Sequence, residues 1–119
     1  MKEEKIINYM TKKHYKADTY VCWDFVRDVY MDEYRVDLPE YPVDEIQAEF
    51  KNKLVSNIPH VKIEGEPIEG DIIVFSMFAN QHAGVMIDYQ NFIHLANDGV
   101  RVTNIKDVGK NYAIYRMVK

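Results

Sequence analysis

Past residue 70 the pattern of the chain changes, and the change limits the fold more than any other feature. The segments "DIIVFSMF" (71–78), "HAGVMID" (82–88), "NFIHLA" (91–96), "VRVTNI" (100–105) and "YAIYRMV" (112–118) are short, rich in β-branched and aromatic residues, and separated by Gly, Asn and Asp. They read as strands joined by tight turns. Before them, apolar residues recur at helical spacing. A short amphipathic helix is predicted over Ile6–Lys13, and the polar residues from His14 to Asp18 break it. Asp18 or Thr19 can cap a second helix whose buried face is Cys22, Phe25, Val26, Val29 and Tyr30, with Asp24, Arg27, Asp28 and Asp32 opposite. That helix must end before "VDLPEYP" because its prolines cannot continue it. A third helix is predicted from about Pro42 to Leu54, with Val43, Ile46, Phe50 and Leu54 inward. Helices first and strands second specify an α+β fold, with helices packed on an antiparallel sheet of about five strands.

A chain of 119 residues fills one domain, expected to span residues 1–119. Its 47% hydrophobic and 29% charged residues are those of an ordinary globular protein. The net charge is −4 and the basic residues are scattered, so no stripe exists to neutralise a phosphate backbone, and nucleic acid is excluded as a partner. "MKEEKIINYM" lacks the apolar run of a secretion signal, and no segment has the length of a membrane span. The chain is expected to be made in the cytoplasm without membrane attachment.

Cys22 is the only cysteine and cannot form an internal disulfide. In the first helical turn it would face unpaired backbone N–H groups and the positive end of the helix dipole, which favour a thiolate. It also lies on the apolar face, where a cysteine can serve simply as a small core residue. Two histidines bear on that choice. If "HAGVMID" and "NFIHLA" pair through the three-residue loop Asp88-Tyr89-Gln90, His94 falls opposite Gly84 and shares a face with His82, diagonal to it. A two-residue loop would send the imidazoles to opposite faces. A cysteine, a histidine base and a third polar group that orients the base form the general arrangement for thiol nucleophilic catalysis. His14 and His60 read as loop residues. No HxxxH or CxxC spacing supports zinc at His82, His94 and Asp98, so neither metal nor cofactor is expected. "GEPIEGD" lacks the setting of a phosphate loop and reads as a turn that delivers Asp71 to its strand.

The segments "VCWDFVRDVYMDEYRVDLPEYP", "EGDIIVF" and "HAGVMIDYQNFIHL" together resemble the phage-tail branch of the NlpC-type cell-wall cysteine peptidases, a papain-like superfamily. The order Cys, His, His and the spacing between the histidines match, and the resemblance runs from about Asp18 to Asn104. It implies a papain-like NlpC-type domain in which Cys22 is the nucleophile, His82 the general base and His94 the orienting group. Tyr15 or Tyr20 would assist the oxyanion. The implied substrate is the D-glutamyl to diamino-acid bond of peptidoglycan stem peptides. The chain departs from the pattern at Val21, where the family has Asp, and at Asp24, where it has a small Gly. Without a wall-binding module, targeting is expected from phage tail-tip or hub proteins, which would place the chain in the virion tail, acting on the bacterial cell wall. The competing readings are a structural tail subunit that keeps the fold without turnover, and a thiol amidase or acyltransferase. Permuted relatives of the last kind place the histidine before the cysteine, and this chain does not.

Overall fold

The computed structural model describes residues 1–12, 22–38, 60–77, 80–96, 98–110 and 112–117. Among these residues two helices, α1 (Glu3–Thr11) and α2 (Cys22–Tyr34), precede six strands: β1 (His60–Ile63), β2 (Ile72–Met77), β3 (Asn80–Met86), β4 (Asn91–Ala96), β5 (Gly99–Asn104) and β6 (Tyr112–Met117). All neighbouring strands are antiparallel, in the order β1-β6-β2-β3-β4-β5. The α+β arrangement expected from the change in periodicity is therefore the observed one. The helix predicted over Pro42–Leu54 lies outside the described residues, as do the caps Asp18 and Thr19.

Helix α1 begins earlier than the apolar spacing predicts. Glu3 and Glu4 occupy its first turn, where carboxylates complement the positive end of the helix dipole. Its one fully buried residue, Tyr9, packs edge-on against Phe25 of α2 with ring centroids 5.6 Å apart, and donates its hydroxyl to Asp32 at 3.1 Å. Helix α2 buries Trp23, Phe25, Val26, Val29 and Tyr30. It stops at Tyr34 because Arg35 adopts a left-handed conformation (φ 56°), after which the Val36 N–H reaches back to the Tyr30 carbonyl at 3.3 Å. Arg27 then ties the outgoing chain to the helix by donating to the Leu38 carbonyl at 2.7 Å.

The sheet carries apolar side chains on both faces. One face, with Ile72, Val74, Ala83, Val85, Ile93 and Leu95, receives α2, chiefly on β3 and β4. The other holds a smaller cluster of Ile73, Phe75, Met86, Phe92 and Ile114, covered from the side by Ile105 and Val108 of the 3₁₀ turn that follows β5. Asp71, only 2% exposed, fastens the chain that leads into β2. Its carboxylate accepts two hydrogen bonds from Arg116 of β6 at 2.9 Å each and one from the Ile68 N–H at 2.9 Å, so "GEPIEGD" is a structural turn as expected. The Tyr30 hydroxyl donates to the Gly70 carbonyl in that turn, which ties α2 to it as well.

Strand β1 was not expected. It spans four residues and pairs only with β6 at the sheet edge, too little chain to show a period of two. His60, read as a loop residue, is its first position.

Gly84 is required by close packing. A Cβ there would come within 2.8 Å of the Ile93 carbonyl oxygen, 2.9 Å of the Phe92 ring and 3.1 Å of the His94 Cβ. The backbone oxygen cannot move aside without opening the β3–β4 ladder. Gly84→Ala is expected to lower stability by about 1–3 kcal/mol, the usual cost of overpacking. The denaturant midpoint of the purified variant measures it.

Candidate active site

The structure brings His82 and His94 together on one face of the sheet and sets Cys22 on the other, against β3. Cys22 is the first residue of α2, in the first turn as expected. It packs at the border of the larger core, on the helix-bearing face of the sheet. His82 and His94 arrive on the other face. The register pairs Phe75 with His82 and Gly84 with His94, so the two imidazoles lie diagonally about Gly84, the placement that the three-residue loop predicts.

The imidazoles stand in an aromatic frame. Phe75 lies nearly parallel to His82 (centroids 5.6 Å, 24°) and perpendicular to His94 (5.5 Å, 88°), and Phe92 is tilted against His94 at 5.0 Å. His94 is 2% exposed, while His82 is partly open. Nε2 of His94 lies 2.8 Å from Oγ1 of Thr103 on β5, and its Nδ1 is buried with no hydrogen-bond partner among the described residues. Thr103 was not singled out from the sequence. Its only signal there is position, since it falls opposite Phe92 and so on the face of His94 once β4 and β5 are paired.

The sulfur of Cys22 meets the sheet at the Ala83 N–H, one residue from His82. Among the described residues no hydrogen bond joins the thiol to either imidazole. The thiolate expected from the helix terminus is not favoured at rest. Burial pushes the thiol above its ordinary value, and this outweighs the N–H groups of Ala83, Trp23 and Cys22 itself, which act in the opposite direction; the Asp24 carboxylate raises it further. Burial likewise lowers His82. His94 is lowered to about 4, by burial first and then by the charges of His82 and Arg101. At neutral pH the resting site thus holds a thiol and two neutral imidazoles.

Tyr15 and Tyr20, the candidate oxyanion residues, and Val21 lie outside the described residues. Among the described residues no group of three His, Cys, Asp or Glu side chains is placed to hold a metal ion, and no helix is long and apolar enough to cross a membrane.

A sequence model of the NlpC/P60 family matches residues 9–119. The chain belongs to the NlpC/P60 family. The crystal structure of the NlpC/p60 domain of the peptidoglycan hydrolase SagA superposes with a TM-score of 0.57 at 14% identity, covering 93% of this chain and 92% of that one. At that identity the likeness speaks for the fold, and the fold is the papain-like one expected. No curated protein matches the chain. Membership in NlpC/P60 places the chain in a family of cell-wall peptidases of the cysteine type. It also gives Asp24 its interest, since the carboxylate that opposes the thiolate stands where the family pattern has glycine.

Two measurements test these electrostatics. Asp24→Asn removes a charge that favours the protonated thiol, so Cys22 of the variant should alkylate faster than wild type at the same neutral pH, and the pH midpoint of its alkylation rate should fall. For His94, the unfolded chain takes up a proton near the ordinary value of 6.5 and the folded chain only near 4. Between those values the unfolded state binds more protons. Stability should therefore fall as pH drops from about 6.5 to about 4, by up to about 3 kcal/mol. His94→Gln should flatten this part of the curve in denaturant unfolding.

Proposed function

We propose that this chain is a peptidoglycan-cleaving cysteine endopeptidase that hydrolyses the D-glutamyl to diamino-acid bond of stem peptides. The observation that carries the reading is the meeting of the first turn of α2 with β3 at the His82–Ala83 step, in a chain of the NlpC/P60 family. Cys22 is the nucleophile and His82 the base, with His94 behind it. Because both partners rest neutral, His82 acts by taking the Sγ proton as the thiol attacks the scissile carbonyl, rather than by holding a preformed ion pair. The resulting imidazolium gives that proton to the leaving amine. Water then hydrolyses the thioester, with His82 acting again as base. Tyr15 or Tyr20 is offered as an aid to the oxyanion.

The substrate comes from the family and from the SagA domain, a peptidoglycan hydrolase by description. The setting proposed is a phage tail tip: the chain is made in the host cytoplasm and carried by tail-tip or hub proteins to the cell wall from outside. It rests on the resemblance of "VCWDFVRDVYMDEYRVDLPEYP" to the tail-borne branch.

A second reading has its own support. The raised thiol and the carboxylate of Asp24, with no bond from Cys22 to either imidazole among the described residues, fit a structural tail subunit that keeps the fold without turnover. Digestion of purified peptidoglycan by wild type, Cys22→Ala and His82→Ala separates the readings. The expected products carry a new amine on the diamino acid and a new carboxyl on D-glutamate, identified by mass spectrometry. Cys22→Ala should release none, and His82→Ala should lose roughly 10²-fold or more. New ends elsewhere would identify an amidase, and intact peptidoglycan with wild type would favour the structural subunit.

A further inference from the structure

We propose that Thr103 is a positioning residue of this site: by accepting a hydrogen bond from Nε2–H of His94, it holds that ring in the tautomer whose Nδ1 lone pair can receive an N–H from His82. The inference rests on the roles given above for Cys22, His82 and His94, and adds to them the group that sets the polarity of the third residue.

The geometry begins with pairing. Thr103 lies opposite Phe92 across the β4–β5 ladder, so its side chain shares the face of Phe92 and His94. Oγ1 reaches Nε2 at 2.8 Å, a full hydrogen bond. Thr is stiff at χ1, so the hydroxyl is held in place by a β-branched side chain on a paired strand. A hydroxyl can donate or accept, and the bond alone does not choose the tautomer.

The choice is made at the other nitrogen. Nδ1 is buried beside Phe75 and Phe92 with no partner among the described residues. If it carried the proton, a buried N–H would be left without an acceptor. A bare acceptor is the less costly orphan, since buried N–H groups are left without a partner more rarely than buried acceptors are. The proton therefore sits on Nε2 and Thr103 accepts it. Burial and the neighbouring charges also keep His94 neutral, so Nδ1 stays an acceptor at working pH.

An acceptor at Nδ1 is what the base needs. After His82 takes the thiol proton, both its nitrogens carry N–H. One must be returned to the leaving group, and the other needs an acceptor on the imidazole face. His94 is the diagonal neighbour there and shares the Phe75 ring with it. In the opposite tautomer His94 would present N–H to N–H, and the imidazolium would lose its support.

The test uses the full chain with ¹⁵N-labelled histidine. In wild type at neutral pH, long-range ¹H–¹⁵N correlation should show His94 protonated at Nε2 and bare at Nδ1. In Thr103→Val, which keeps the shape and removes the oxygen, that preference should weaken, and kcat for peptidoglycan digestion should fall about tenfold with KM little changed. Thr103→Ser should restore both. A wild-type His94 protonated at Nδ1 would overturn the proposal. So would a folded Thr103→Val with wild-type kcat and tautomer, or a loss of kcat that Thr103→Ser does not recover. If Thr103→Val does not fold, the wild-type tautomer and the activity of Thr103→Ser still decide. Failure of wild type to digest peptidoglycan would count against the enzymatic reading, whereas the tautomer measurement would stand apart from it.

Discussion

The site depends on the register between β3 and β4. The side-chain period of a strand is two, so a slip of one residue would carry His94 to the α2 face and replace it with Ile93 or Leu95 among the aromatic rings. The turn prevents that slip. Oδ1 of Asp88 accepts from the Gln90 and Asn91 backbone N–H groups at 2.8 Å each, and the Ile87 N–H donates to the Asn91 carbonyl at 2.8 Å. Those donors hold the Asp88 carboxyl below its ordinary range. The Ile105 N–H then bonds the Gln90 carbonyl at 2.7 Å, so the end of β5 braces the same loop. Gly84 completes the specification, since its position is the one in the β3–β4 ladder where a side chain has no room.

The state of Cys22 follows from a contest of magnitudes. A helix N-terminus contributes about 0.3–1 kcal/mol toward a nearby anion at an exposed site, and up to about 2 kcal/mol when partly buried. Taking an ionised group out of water costs several kcal/mol. The sulfur is packed against the larger core, so desolvation prevails over the three backbone N–H groups that face it, and Asp24 adds to the imbalance. On the proposed reading, Cys22 becomes a nucleophile only when a base accepts its proton during attack. That places more weight on His82 than a preformed ion pair would, and more on whatever keeps the His82 imidazolium satisfied.

The features legible in the sequence were those set by local pattern. The apolar spacing of α2, its stop before Val36, the strands from β2 to β6 and the loop that puts His94 opposite Gly84 all follow from residues close together in the chain. Strand ends were less legible. β3 gives up Ile87 and Asp88 to the turn because the Asp88 carboxylate captures backbone donors there, and β1 depends on β6, more than fifty residues later. Trp23 was left out of the predicted helix face because the spacing from Cys22 does not include it, yet tertiary packing buries it completely. Thr103 could not be chosen from the sequence for a similar reason. Its role arises only when β5 lies beside β4 and a hydroxyl meets a ring nitrogen nine residues away. The thiol's protonation state was the largest departure, since a pattern of residues gives the helix dipole its direction but does not report how much water remains around the sulfur.

The two faces of the sheet divide the work, and β3 joins them. Ala83 points into the α2 core while His82 and Gly84 point to the aromatic side, so one strand presents a backbone N–H toward Cys22 and an imidazole on the opposite face. The helix face supplies stability through Trp23, Phe25, Val26 and Val29, and the opposite face is small and aromatic. Such a division lets polar atoms be buried without breaking the main core. The orphan nitrogen of His94 lies in the smaller cluster, where the Thr103 bond at Nε2 offsets part of its burial. Cys22 and His82 are therefore linked through the backbone of β3. A disturbance at Gly84, between the two imidazoles, should reach Cys22 through the same strand.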